Sequence, residues 1–575
     1  MKKFFNIYII LLILFIACLF RFNNLYWDSN FHLHPDERFL TMVGNAMKLP
    51  TNVNQYFDQK TSLLNPSNIG YNFFVYGRFP LIFTKFLAVK LNLDNYNDFT
   101  IFGRQLSAFF DLLIILFVIK TVGLLEKKLK LKPSIKYWAG FFYAISVLPI
   151  QLSHFFAVDT FLNFFMFGSF YFALRVGQDR PLRNTILSAV FFGLALACKI
   201  TAIFILPLNL ILISLTYLGR PSRMGKHLLL MFIYLGVSYL TLRLADPYLF
   251  QNKNLFDPTL SKVFIENIKS LKNMTVKNID NWFPPMVQWL NKNSFQHSIV
   301  NNTVFGMGIA LTILLIFGIL KVILSFPRRR AIVPLGKSIS IFVILTWVVG
   351  FFIYQSLQVT PTLRYFITIY PFLAIFAAFG INVFIDYVFQ ITDSKLIRNS
   401  LFVILIIVLL IWPIMFSSIY FNKHTRVEAS EWIYKNLPSG SYILSESWDD
   451  SLPLSVVDNY GKQFAGEQLP VFDPDTPEKW RKINESLKKA DYYILSSNRG
   501  WGSITTVPKK YPKMSKFYVE LLDNKNPGYK KIKEFTSFPQ FTINNWQLAI
   551  DDSWSDEGFT VYDHPKVLIY KNVKK

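Results

Sequence analysis

The sequence predicts a polytopic α-helical membrane protein that ends in a small α/β domain outside the membrane. Three observations carry that reading. The 575 residues are 52% hydrophobic and only 17% charged, against about 25% charged in soluble domains. Apolar residues fall in runs close to the roughly 20 needed to cross a bilayer as helix. Beyond about residue 418 the runs shorten and charge returns.

The chain opens MKKFFNIYIILLILFIACLF. A basic start and a long apolar run suit a signal peptide or a first span. The residues after Cys18 stay apolar and no A-x-A site follows, so an uncleaved span at 4–20 is expected. Ten more are expected near 104–121, 137–152, 160–177, 184–198, 200–218, 228–244, 302–324, 338–357, 365–388 and 399–417. The charges test this count of eleven. With the N-terminus cytoplasmic, the inside segments are the initial KK, EKKLKLKPSIK, QDRPLR, GRPSRMGKH, FPRRR and DSKLIR, all basic. One span more or fewer would invert every later loop.

The chain then divides into a transmembrane part, 1–417, with an outer loop at 21–103, and a tail, 418–575, outside a plasma membrane. In the outer loop, YGRFPLIFTKFLAVKL reads as an interfacial helix. In the tail, VEASEWIYKNLPSG reads as a helix stopped by Pro and Gly, and DTPEKWRKINESLKKA as a helix with Pro at its first position. SYILSE and DYYILSS read as strands, and FTVYDHPKVLIY adds β pattern.

The net charge of +24 does not indicate a nucleic-acid partner, because the basic residues sit in short clusters between apolar runs. Cys18 and Cys198 stand in apolar surroundings, which excludes a disulfide framework and a Cys-rich zinc site.

Chemistry concentrates at the outer face. FHLHPDERF, residues 31–39, places Asp36 and Glu37 shortly after the first span. Adjacent residues diverge, so one carboxylate is expected to face a reactant and the other a structural partner. A carboxylate partly desolvated at the membrane wall can have its pKa raised toward that of a general base; the plain alternative is a solvated loop. His32 and His34 with Asp36 form a weak metal alternative, the divalent ion being the less favoured reading. Asp159, in SHFFAVDTFLNFF, is the second acid, or else a helix cap. Arg104, Lys199 and Arg364 are cations bracketed by apolar residues near the same face. Intramembrane charge is a functional signal by default, although lysines and arginines also snorkel to headgroups. Together they suit a phosphate held at the lipid surface.

These residues resemble the polytopic glycosyltransferases of the GT-C fold, closest to the protein O-mannosyltransferase and aminoarabinose-transferase kind of glycosyltransferase family 39. The resemblance lies in PDE (Asp36, Glu37), GRQLSAFFD (Arg104), VDTFLNFF (Asp159), CKITA (Lys199) and LRYFITIYPFLAIFAA (Arg364, Tyr365), and covers about residues 1–420. It implies an inverting enzyme that moves a mannose-type hexose or similar sugar from a polyprenyl-phosphate donor to a protein, lipid or glycan acceptor. Asp36 would be the base and Glu37 its support. Asp159 would position the acceptor, and Arg104, Lys199 and Arg364 would face the donor phosphate. His34, Arg38 and Tyr365 would assist. MIR-type repeats are not found in the sequence. SESWDDSLPL shares part of the W-W-D motif of oligosaccharyltransferases but lacks the second Trp and the following Tyr-Gly, and reads as a feature of the tail. A transporter or flippase for a lipid-linked or anionic solute is the alternative. It would need polar groups near mid-bilayer or paired broken helices, whereas the key charges fall at span ends.

Overall fold

The computed structural model describes residues 2–129, 132–217, 221–281, 283–324, 336–544 and 546–575. The basic loop FPRRR and parts of EKKLKLKPSIK and GRPSRMGKH lie outside the described residues.

The described residues of the expected spans are largely helical. Helix α1 (Lys2–Arg21) is followed by a segment with α2 (Pro35–Ala46), α3 (Val53–Tyr56) and α4 (Phe79–Leu91). Then come α5 (Tyr96–Leu129), α6 (Ile135–Ala144), α7 (Val147–Ser153), α8 (Val158–Arg175), α9 (Pro181–Cys198), α10 (Leu206–Leu215) and α11 (Met224–Ala245). A second long connection carries α12 (Lys262–Met274) and α13 (Ser294–Val300), and α14 (Ile309–Leu324), α15 (Gly336–Ser356), α16 (Tyr370–Ile391) and α17 (Lys395–Phe421) complete the body. Among the described residues, six helices are long and apolar enough to cross a membrane alone. A seventh joins Ser294–Gly306 to Ile309–Leu324 through a 115° bend at Gly308, whose φ of +84 suits glycine. The chain is therefore a multi-span membrane protein.

The span expected at 137–152 is broken between α6 and α7. Pro149 explains where: in a continuous helix its ring would meet the carbonyl of residue 145, and its missing N–H would leave that carbonyl unpaired. Two carbonyls beside the break are taken up by an arginine. Arg21, at the end of α1, donates to the carbonyls of Ala144 (2.7 Å) and Tyr143 (3.3 Å) while paired to Asp111 at 2.6 Å. Elsewhere the body closes on small residues. A Cβ on Gly318 of α14 would lie 1.7 Å from the Phe376 carbonyl oxygen of α16, so only glycine permits this approach.

The tail begins with α18 (Thr425–Asn436) and builds one mixed sheet. Strands β1 (Tyr442–Glu446), β2 (Ala465–Leu469), β3 (Tyr492–Leu495), β4 (Tyr529–Phe535) and β7 (Val567–Asn572) lie in the order β2-β1-β3-β7-β4. β1 runs parallel to both neighbours and β7 antiparallel to both of its own. β5 (Gln540–Ile543) and β6 (Trp546–Ala549) form a separate hairpin. Helices α19 (Pro477–Lys489), α20 (Arg499–Ile504), α21 (Pro512–Leu522) and α22 (Glu557–Thr560) complete it. The segment FTVYDHPKVLIY is only half β: Val567 onward is strand, while Thr560 ends α22.

The tail is seated on the body. Phe559 packs in the main hydrophobic core. Gln151 donates to the Phe559 carbonyl (2.8 Å) and Asp563 (3.0 Å), and Tyr420 donates to Asp563 (2.9 Å). Asp556 accepts from the Leu363 backbone N–H at 2.8 Å.

Candidate active site

The loop between α1 and α2 is folded around Asp28. Its carboxylate accepts from the backbone N–H of Asn30 and Leu33, each at 3.2 Å. Ser29, Asn30 and His32 take left-handed backbone angles, a strained arrangement held by these bonds. The loop delivers the chain to Pro35, which starts α2, and His34 caps it by accepting from the Glu37 N–H at 3.3 Å. Asp36 and Glu37 occupy the first turn, where the helix dipole favours negative charge.

Successive helical residues point about 100° apart, and this turn uses three directions. Glu37 points into the protein. It accepts from Arg104 Nε (2.9 Å), pairs closely with Arg104 Nη2, and accepts from the Phe156 N–H (2.7 Å). Arg104 also binds Asp28 (2.8 Å) and stacks 4.7 Å from the Trp27 ring centre. Arg104, Asp28 and Glu37 have no exposed surface. Arg104 thus does not face the open donor side expected for it: one guanidinium neutralises two carboxylates in a sealed cluster, the arrangement that makes a buried charge tolerable.

Asp36 points to the other side and pairs with Arg364, which precedes α16. Both remain open, with side chains 25% and 24% exposed. Burial pushes the Asp36 carboxyl up, but Arg364, then His34 and a hydrogen bond from Tyr76, outweigh burial and hold it well below the usual carboxylate range. The raised pKa expected from desolvation is therefore overturned, because the expectation omitted the cation.

Tyr365, the next residue, links this pair to a second one. The Arg364 guanidinium carbon lies 5.3 Å from the Tyr365 ring centre and Lys199 Nζ lies 4.5 Å from it. Lys199 stands at the break between α9 and the 3-10 turn Ile200–Ile205, in extended conformation, and pairs with Asp159 at 3.3 Å. Asp159, expected to position an acceptor, is thus placed on the lysine. The two ion pairs, Asp36–Arg364 and Asp159–Lys199, flank one aromatic ring. Gly77 draws the halves together: its N–H donates to the Cys198 carbonyl at 2.9 Å, and a Cβ there would lie 2.0 Å from the Ala197 oxygen.

Two openings border the site, and neither is lined by Asp36 or Arg364. On the Lys199 side lies a cavity of about 290 Å³. Asp159, Lys199, Gln355 and Tyr365 form its polar wall and Phe204 and Phe351 its apolar one. On the tail side lies a cleft of about 210 Å³ lined by Pro35, Arg38, Trp448, Asp450, Arg499 and Tyr562. His32 and His34 do not converge. His32 contacts Asn97 (3.0 Å) and Thr100 (3.2 Å), and the His34 ring lies 4.3 Å from that of Tyr562. Among the described residues no group of three or more His, Cys, Asp or Glu is arranged to hold a metal.

Residues 98–249 match the family model of dolichyl-phosphate-mannose-protein mannosyltransferase. The similarity to that family lies in this segment of the chain. The matched segment holds Arg104, Asp159 and Lys199. No curated protein matches the chain in sequence. Solved structures resemble it in fold. The oligosaccharyltransferase AglB from Archaeoglobus fulgidus, in complex with an inhibitory peptide and a dolichol-phosphate, superposes with a TM-score of 0.52 at 12% identity. That match covers 96% of this chain and 75% of the other. The apo form from the same organism gives 0.53 at 13% identity, over 100% and 89% of the two chains. ArnT from Cupriavidus metallidurans bound to undecaprenyl phosphate gives 0.40 at 12% identity, over 98% and 97%. At such identities the likeness to AglB is one of fold.

Proposed function

We propose that this protein is a glycosyltransferase that moves a monosaccharide from a polyprenyl-phosphate donor to an acceptor hydroxyl at the outer face of the membrane, with inversion and with Asp36 as the general base. The observation that supports this most is the pairing of an open carboxylate, Asp36, with an open guanidinium, Arg364, beside a cavity that carries a second cation, Lys199. The phosphate sits against Lys199 and Arg364, and its lipid chain leaves along the apolar wall toward the membrane. Asp159 and Tyr365 hold Lys199 in place. Leaving-group charge builds on the phosphate as the glycosidic bond breaks, and fixed cations stabilise it. The acceptor enters from the tail-side cleft, opposite the leaving group, as inversion requires.

Arg364 gives the reaction an order. While it neutralises Asp36, the carboxylate is a poor base. A donor phosphate competes for the same guanidinium through bidentate contact. Asp36 then loses its cation and its proton affinity rises toward the range a general base needs. The fold likeness to AglB, solved in complex with a dolichol-phosphate, supports a lipid-phosphate donor. The basic segments that alternate with the apolar runs of the sequence support a cytoplasmic N-terminus, with the site and tail outside a plasma membrane. A mannose-type hexose is the sugar favoured by the family match.

The test is transfer from a panel of polyprenyl-phosphate sugars to cell-envelope extracts by the purified full chain. Transfer from one or more donors with inverted product is expected. A folded protein that transfers from none, and instead moves lipid or solute across vesicles, would replace this reading with a transporter.

A further inference from the structure

The tail grips the helix that carries the proposed base, and it does so on one face. His34 and Arg38 are four residues apart, so they stand on the same side of α2. Tyr562 of the tail packs on His34, with ring centres 4.3 Å apart. One turn further, both terminal nitrogens of Arg38 donate to a single oxygen of Asp450 at 3.0 Å. The other Asp450 oxygen accepts from Arg426 at 2.9 Å. Arg426 is fixed in turn, by Asp449 (2.6 Å) and by the Ser496 carbonyl (3.1 Å) that follows β3. Asp449 and Asp450 follow Trp448, whose left-handed backbone (φ 72) makes the sharp turn that presents them. Asp450 is thus anchored to the sheet of the tail on one side and holds α2 on the other.

We infer that Asp450 is a positioning residue, through which the tail sets the angle of α2 and so the contact of Asp36 with Arg364. Three consecutive residues divide the work: Asp36 reaches Arg364, Glu37 fastens α2 to the body, and Arg38 fastens it to the tail. The Arg38–Asp450 pair is 39% and 19% exposed. Pairs this open contribute little to stability, so its value lies in geometry. Misplacing a reacting group by about 1 Å can cost roughly 10²-fold in rate. This assignment rests on the reading of Asp36 as the base.

The test uses the full chain in detergent or vesicles, with the donor identified by the transfer panel. Arg38→Ala and Asp450→Asn should each lower kcat by roughly 10–10²-fold while KM for the donor and the melting temperature stay near wild type. Arg38→Lys should restore most of the rate. The double variant should be no slower than either single one, because both remove one contact. Wild-type kcat in Arg38→Ala, multiplicative losses in the double variant, or a kcat loss that merely follows a fall in melting temperature would each overturn the inference. Asp36→Asn is measured alongside. If it transfers normally, the reading of the reaction falls and this inference with it; if it is inactive while Arg38→Ala is unimpaired, the inference alone falls.

Discussion

Asp36 and Glu37 are neighbours in sequence and opposites in setting. Glu37 lies in a sealed cluster with Arg104 and Asp28, where every member is fully buried. Asp36 lies in a pair with Arg364 that keeps about a quarter of each side chain exposed. Both regions match a carboxylate to a guanidinium, so charge type does not separate them. What separates them is access. A sealed pair has no place for a reactant and serves to hold elements together, here α2, α5 and the loop at Phe156. An open pair can exchange a partner, which chemistry on a charged substrate requires.

The contrast breaks if Asp36 proves dispensable. Asp36→Asn should lower transfer by about 10³-fold, within the 10²–10⁴ usual for a general base, with membrane insertion and melting temperature unchanged. Transfer rates in proteoliposomes decide this. Glu37→Ala should fail in the other way. Leaving a buried cation short of a partner costs about 3–5 kcal/mol, so thermal melting should fall sharply and transfer should be lost with the fold. A stable Glu37→Ala protein with selectively reduced turnover would show that the sealed cluster also takes part in chemistry.

Gly77→Ala sharpens the comparison at the join between the two ion pairs. The added methyl meets the Ala197 carbonyl, and overpacking of this kind costs roughly 1–3 kcal/mol. Transfer should fall moderately and the KM for donor should rise, because Tyr76 and Lys199 are pushed apart. A donor titration of that variant reads both.

Glu446 gives the smallest effect on transfer, namely none. It lies in the core of the tail, accepting from Tyr493 at 2.5 Å and also from Tyr518. Burial pushes its carboxyl up from 4.5 to about 7. A raised acid favours the folded state while protonated, so this contribution is full below the ordinary value of 4.5 and is lost as pH rises through about 7. Thermal melts of wild type should therefore decline across that window, and Glu446→Gln should flatten the decline without altering transfer. An equal slope in both proteins would contradict the assignment.

Much of this contrast could be read in the sequence, and the unread part has a physical reason. Asp36, Arg364, Asp159 and Lys199 stood out because charge beside apolar runs is costly and therefore conspicuous. The helices at the expected spans were legible for the same reason. Partnership was not. Arg104 looked equivalent to Arg364, since nothing local says that Asp28, in YWDSN, lies against the first of them. The depressed Asp36 carboxyl depends on a cation 328 positions away. Tyr76 and Tyr562 carried no local signal, as ordinary members of FVYGRF and FTVYDH. Asp450 did carry one, in SESWDDSLPL, but its partner Arg38 lies 412 residues earlier. The broken span at 145–146 was marked by Pro149, and the arginine that binds the carbonyls of Tyr143 and Ala144 was hidden.

The most direct test of the account is to measure polyprenyl-phosphate binding and sugar transfer in one preparation of Asp36→Asn. The substitution removes the carboxylate that competes for Arg364 and leaves the cations in place. The account predicts that the variant binds the lipid phosphate at least as tightly as wild type and does not transfer sugar. Transfer at the wild-type rate, or weaker phosphate binding in a folded variant, would contradict it.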